Sequence, residues 1–416
     1  MNSNIISLYH SSFTGGSKNT SRLLNYLSNS GCHVDAYFFE IPQYFTDTKS
    51  NIVPHSLGSQ NIHSDVIDSS AIKNYGIANS IIEDLKNKNY YTLFGEYLFP
   101  YCNILHDVKN QLFNLHNVNP KLIIHPVGSD MWQIGPQIKS RVKWLLDSPL
   151  VDTILTYSNC FINEIKEYYN IEKEIYVLPP VIEKEKFFPI SINEIVARKI
   201  HLGFSDEDFI IHHHSSMKKI KCPEIVLDIA MKISQLISKK CILIMVGPIP
   251  HNEINLLHLN LTSLGNNSCF KYKTQLKNLT ILWTGIEVAV EYLLQISDVE
   301  LNASLHDSFN VSLMEAMACG VPVVTSDIVG IKEHILLSNS GYCFPTIKLN
   351  FNDLNTSLQN GNVKNKYFDI DYAVSAVLSI ANKSNSSANM GEEGAKYVLH
   401  EFSFENASRE FYKHIS

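Results

Sequence analysis

No apolar run in this chain approaches the roughly 18 residues that a membrane-spanning helix needs, and its start, Met1 to His10, carries neither a basic stretch nor a long apolar one. A cytoplasmic protein is expected, with peripheral attachment to a membrane left open. Basic blocks are missing too: 34 lysines and arginines lie spread among 41 acids, so a net charge of −7 gives no footprint for nucleic acid. The cysteines Cys32, Cys102, Cys160, Cys222, Cys241, Cys269, Cys319 and Cys343 show no C-x-x-C spacing, and several sit in apolar runs. They read as reduced, mostly buried thiols. His212-His213-His214 makes a poor metal site, because strand alternation puts only His212 and His214 on one face and no nearby acid or cysteine joins them. No metal is expected.

What is present suits folded α/β material: 45% hydrophobic and 18% charged residues over a length of 416, enough for two domains with a core each. Ile5 to Tyr9 reads as a strand, followed by Gly15-Gly16 and a helix carrying Leu23, Leu24 and Leu27, a Rossmann-like first turn. Strands at 33–39, 121–127, 153–157 and 175–178 follow with helices between, which implies a parallel sheet. Residues 41–70 are rich in Ser, Asn, Asp and His and read as loop. Pro179-Pro180 marks a hinge. A second set then opens at Phe209–His214, with a helix over 223–237, strands at 241–246 and 279–283, and a helix over 287–296. The aromatic cluster from Tyr90 to Tyr101 reads as core more readily than as a sugar-stacking surface.

The most informative stretch runs from Leu301 to Asp327. It reads as buried strand, turn, amphipathic helix, Gly320 stop and second buried strand, with Asp307 at the turn and Glu315 two helical turns on. Backbone N–H groups of Phe309, Asn310 and Val311 at such a helix start can bind phosphate or sugar oxygens, favoured by the macrodipole. The alternative is an ordinary helix–strand unit with solvated acids.

This stretch resembles the acid-x7-acid signature of the retaining glycosyltransferases of family 4. The resemblance implies the GT-B fold: two Rossmann-like parallel-sheet α/β domains facing a cleft, here 1–183 for the acceptor, 184–395 for a nucleotide sugar, and a terminal helix at 396–416 crossing back to the first domain. It also implies an enzyme that moves a sugar from a nucleotide diphosphate to an acceptor hydroxyl without metal or cofactor, a UDP-sugar being the default donor. The acceptor, whether glycan, lipid, small molecule or protein, is not legible. Asp307 falls on the acid that faces the donor sugar and Glu315 on the acid that binds the ribose. Lys221 falls on the family lysine, and Lys218 on a basic position found in part of the family. Gly15 and Gly16 match the glycine pair that lets backbone approach the donor; Gly247 and Ile286 match turns that hold it. His213 matches a histidine found beside the donor in some members. In Pro126-Val127-Gly128-Ser129-Asp130, Val127 stands where a histidine is usual, which leaves His125 and Asp130 as the catalytic candidates beside Asp307, with a structural histidine and a turn-capping aspartate as the alternatives. Asp for Glu at 307, Asn for Gly at 310 and Ser216 for an arginine are further departures. They keep open a catalytically silent partner subunit of the same fold, and more remotely a nucleotide-sugar epimerase.

Overall fold

The computed structural model describes residues 4–8, 15–38, 52–57, 70–86, 92–132, 136–249, 259, 261–264, 269–285, 289–359, 365–382 and 389–415. The chain divides into two units, Met1–Val181 with Phe404–Ser416, and Ile182–Ser403. The return to the first unit falls at Phe404, so residues 396–403, read above with the terminal helix, close the second unit; helix Met390–Glu401 ends there.

In the first unit, apolar runs become strands β1 Asn4–Leu8, β2 His33–Phe38, β3 Val53–Ser56, β4 Thr92–Glu96, β5 Lys121–His125, β6 Thr153–Thr156 and β7 Ile175–Val177. They form one parallel sheet in the order β3-β2-β1-β4-β5-β6-β7, so the order reverses between β1 and β4. The loop expected over 41–70 contains β3, which pairs with β2. Its Pro54 suits a sheet edge, where a missing N–H costs no ladder bond. Strand β4 lies inside the aromatic cluster, and Phe94, Leu98 and Tyr101 are buried there.

The terminal helix Phe404–Ile415 places Phe404, Ala407, Phe411 and Ile415 on one face, packed into the first unit's core. Phe411 meets Phe94 edge-on at 5.2 Å and Phe404 stacks on Tyr26 at 4.8 Å.

The second unit holds β8 Phe209–His214, β9 Cys241–Val246, β10 Thr262–Ser263, β11 Tyr272–Leu276, β12 Leu279–Gly285, β13 Val299–Leu301, β14 Val323–Ser326 and β15 Gly341–Phe344. Their order is β10-β11-β12-β9-β8-β13-β14-β15. The first three pair antiparallel and the rest parallel. The helix Pro223–Leu236 follows β8, with proline in its first turn, where its missing N–H is harmless. Here the order reverses between β8 and β13, and at such a reversal loops leave in opposite directions and open a crevice.

Phe411 is fully buried, so Phe411→Ala should destabilise the first unit by about 3–5 kcal/mol. Urea denaturation followed by circular dichroism checks this; an unchanged midpoint would mean that the terminal helix contributes little to that core.

Candidate active site

The carboxyl ends of β8 and β13 carry the residues singled out in the second unit. Past β8 the chain turns through Met217, at a positive φ of 54°, into the short turn Lys219–Lys221. Past β13 it runs out to Asp307, and the Leu305 amide donates to the Ile220 carbonyl at 2.9 Å, joining the two loops. This brings the Lys221 ammonium onto the Asp307 carboxylate, with side chains 20% and 14% exposed. The other Asp307 oxygen accepts from the Phe309 amide at 3.4 Å. Lys218 is exposed at the start of the same turn.

Helix Val311–Ala318 starts after Asn310, whose φ of 80° and ψ of 81° lie in the left-handed region. Asparagine thus takes over the backbone conformation that glycine would supply. Its side-chain oxygen accepts from the Ser312 hydroxyl at 2.7 Å, while its Nδ2 is buried without a partner. The Phe309 ring is buried against Phe402 and His334. Glu315 is buried on the helix, with Oε2 3.8 Å from Nδ1 of His214.

His213 differs from the donor contact expected of it. The ring is fully buried, which lowers its pKa to about 3. Its Nδ1–H donates to the Leu301 carbonyl and its Nε2 accepts from the Ser215 hydroxyl, both at 2.9 Å. No ring nitrogen is left for a ligand. Gly247 has a φ of 148°, and a Cβ there would lie 2.1 Å from the Ser215 oxygen. Its carbonyl accepts from the Trp283 indole at 3.0 Å. Close packing accounts for this glycine. Ile286 lies outside the described residues. Among the described residues no group of three or more His, Cys, Asp and Glu is placed to hold a metal ion.

Sequence reading missed a buried pair on this sheet. Acids do accompany the histidines: Glu300 lies opposite His212 in the β8–β13 register, and Glu300 Oε2 is 2.5 Å from His212 Nδ1, both side chains fully buried. Burial pushes the carboxyl well above its usual range and the imidazole down to about 3, which favours the uncharged form of each. One signal was available, an acid inside the apolar run Val299-Glu300-Leu301, since a buried charge needs a partner.

The remaining candidates belong to the first unit. Gly15 and Gly16 open the helix Gly15–Asn29; the residues before them, 9–14, are outside those described. Asp130 accepts from the amides of Leu98, Gly128 and Val127 at 3.0, 2.8 and 3.1 Å. It caps the turn, and burial outweighs these bonds to lift its pKa to about 6. His125 is buried beside Phe94 and Tyr157 with neither ring nitrogen in a hydrogen bond, and burial lowers its pKa to about 3. It pairs in register with Glu96, another buried acid that sequence reading passed over. Glu96 accepts from the Tyr157 hydroxyl at 3.3 Å, but burial dominates and raises its pKa to about 8.

The two sheets define the GT-B architecture. Residues 196–397 match the family model described as Glycosyl transferases group 1. N-acetyl-alpha-D-glucosaminyl L-malate synthase of Bacillus anthracis is 25% identical over 272 residues, 64% of this chain and 64% of that protein. The match thus spans less than two thirds of the relative's length. A glycosyltransferase of Rickettsia africae superposes with a TM-score of 0.69 at 19% identity, covering 100% of this chain and 98% of that one. Anabaena HepE, solved in complex with UDP-glucose, gives 0.66 at 13% identity, covering 99% and 98%. No helix among the described residues is long and apolar enough to cross a membrane.

Glu96 supplies a pH test. Its folded pKa, about 8, exceeds the ordinary 4.5, so the folded protein keeps a proton that the unfolded chain releases. The resulting stabilisation is complete below the unfolded value and is lost as pH rises through the folded one. Glu96→Gln keeps the shape without the titration and should flatten the fall in Tm between about pH 5 and 8. Parallel Tm profiles for the two proteins would contradict the assignment.

Proposed function

We propose that this protein is a retaining, metal-independent glycosyltransferase that moves a hexosyl group from a nucleotide-diphosphate sugar, a UDP-sugar first among candidates, to an acceptor hydroxyl. The observation that carries the reading is the meeting of Lys221 with Asp307 at the strand-order reversal of a group 1 domain. A diphosphate leaving group needs cations and N–H donors as the glycosidic bond breaks. Lys221 and Lys218 supply the cations, and the amides of Phe309, Asn310 and Val311 the donors. Glu315 takes the ribose hydroxyls, and Asp307 faces the sugar. His125 and Asp130 belong to the acceptor side: burial keeps the imidazole neutral, and Asp130 fixes the turn beside it. The name of the Bacillus relative, with the UDP-glucose complex of HepE, supports a uridine nucleotide and an α-linked product.

Release of nucleotide from a panel of UDP-, GDP- and ADP-sugars tests the activity, and the anomeric configuration of the product, read by NMR, tests retention. A wild-type protein that neither binds nor cleaves any member would overturn the enzyme reading and favour the silent subunit. Lys221→Ala should lose far more affinity for UDP than for uridine, because its partner is phosphate; equal losses would place the lysine elsewhere. Glu315→Ala should weaken both by roughly 1.5–3 kcal/mol.

Asp307 behaves differently because its carboxylate is itself the ion-pair partner of Lys221. Removing it frees the ammonium, so Asp307→Ala should bind UDP as tightly as wild type or more tightly, while transfer falls by a factor of about 100 or more. Calorimetry and turnover on the same preparation check this; intact transfer would remove Asp307 from the reaction.

A further inference from the structure

The main-chain ladder between β8 and β13 is two residue pairs long, Ile211 with Val299 and His212 with Glu300, whereas β8 and β9 pair over six. Both ends of the short seam are closed by side chains. At the amino end the Asp298 carboxylate accepts from the Ile210 amide at 2.8 Å. At the carboxyl end Glu300 Oε1 accepts from the His214 amide at 3.0 Å while Oε2 shares a proton with His212. On the other face the His213 ring takes the Leu301 carbonyl. Three main-chain groups, the Ile210 and His214 amides and the Leu301 carbonyl, are therefore satisfied by side chains where the ladder ends, while Nε2 of His212 is buried without a hydrogen-bond partner.

We propose that Glu300 is a positioning residue for nucleotide binding: its carboxyl, held by His212, fixes the His214 main chain at the point where β8 and β13 part, and so sets the His214 ring against Glu315 and the mouth of the donor crevice. This rests on the donor reading given above for Glu315 and Lys221. It extends it to Glu300 and to His212, which holds Glu300. A neutral, protonated Glu300 has the hydrogen-bonding pattern of glutamine: one oxygen accepts from the His214 amide and the other position donates to the His212 ring.

That equivalence gives a sharp test, run with UDP by isothermal calorimetry beside thermal denaturation. Glu300→Gln should keep UDP affinity within about twofold of wild type, and Glu300→Leu should lose about tenfold, the scale of one lost hydrogen bond. Should Glu300→Leu fold poorly, Glu300→Leu with His212→Leu removes the stranded imidazole as well and restores an apolar pair of similar volume. The double variant should recover Tm but not UDP affinity, because the His214 amide still lacks its acceptor. Affinity that recovers with Tm would assign Glu300 to stability alone. A Glu300→Gln protein as weak as Glu300→Leu would mean that negative charge, not geometry, matters. Either result overturns the proposal. Glu315→Ala serves as the control: if it binds UDP as well as wild type does, the donor reading fails first.

Discussion

Every amide and carbonyl in the interior of a parallel sheet needs a partner, and the seam between β8 and β13 is where the second sheet cannot supply one from its own ladder. Continuing the ladder would close the strands over the only direction in which their loops can part. Ending it bare would strand a buried amide, at a cost of about 1–3 kcal/mol. Glu300 and His213 resolve this by reaching across from side chains. The loops then leave the sheet with fixed starting directions. The single bond from Leu305 to Ile220 suffices to bring Lys221 and Asp307 together.

Charge is distributed accordingly. The fully buried acids, Glu300 in the second unit and Glu96 in the first, are pushed by desolvation toward the protonated form. They act through hydrogen-bond geometry. Lys221 and Asp307 keep some contact with solvent and pair with each other.

Much of the architecture was legible because strands of the second unit carry apolar runs, Phe209–Ile211 at the start of β8 and the whole of Cys241–Val246, and both strands match their sequence bounds. Such runs mark strands buried on both faces. Edge strands carry no such signal. β3 contains a proline and a histidine, and its register comes from β2, not from its own side chains. In the motif, spacing placed Asp307 and Glu315 around a helix start, and Asn310 takes the left-handed backbone that a glycine would supply. The partnership of Glu300 with His212 could not be read in this way. It depends on which strands are neighbours, and β8 and β13 are separated in sequence by two other long strands and a hairpin.

Gly247 shows how a motif match and a packing requirement can fall on one residue. Its positive φ and the 2.1 Å approach of a hypothetical Cβ to Ser215 would exclude any side chain even if no ligand ever bound. Its carbonyl also anchors Trp283, the largest fully buried side chain of the sheet. Ser215 in turn bonds His213, which holds Leu301. Substitution at Gly247 therefore disturbs the seam through a chain of contacts, and a loss of activity there would say little about chemistry. Lys221 and Asp307 are better placed to report on it: they lie on loops past the strand ends, partly open to solvent and paired with each other, so a change at either disturbs the core less.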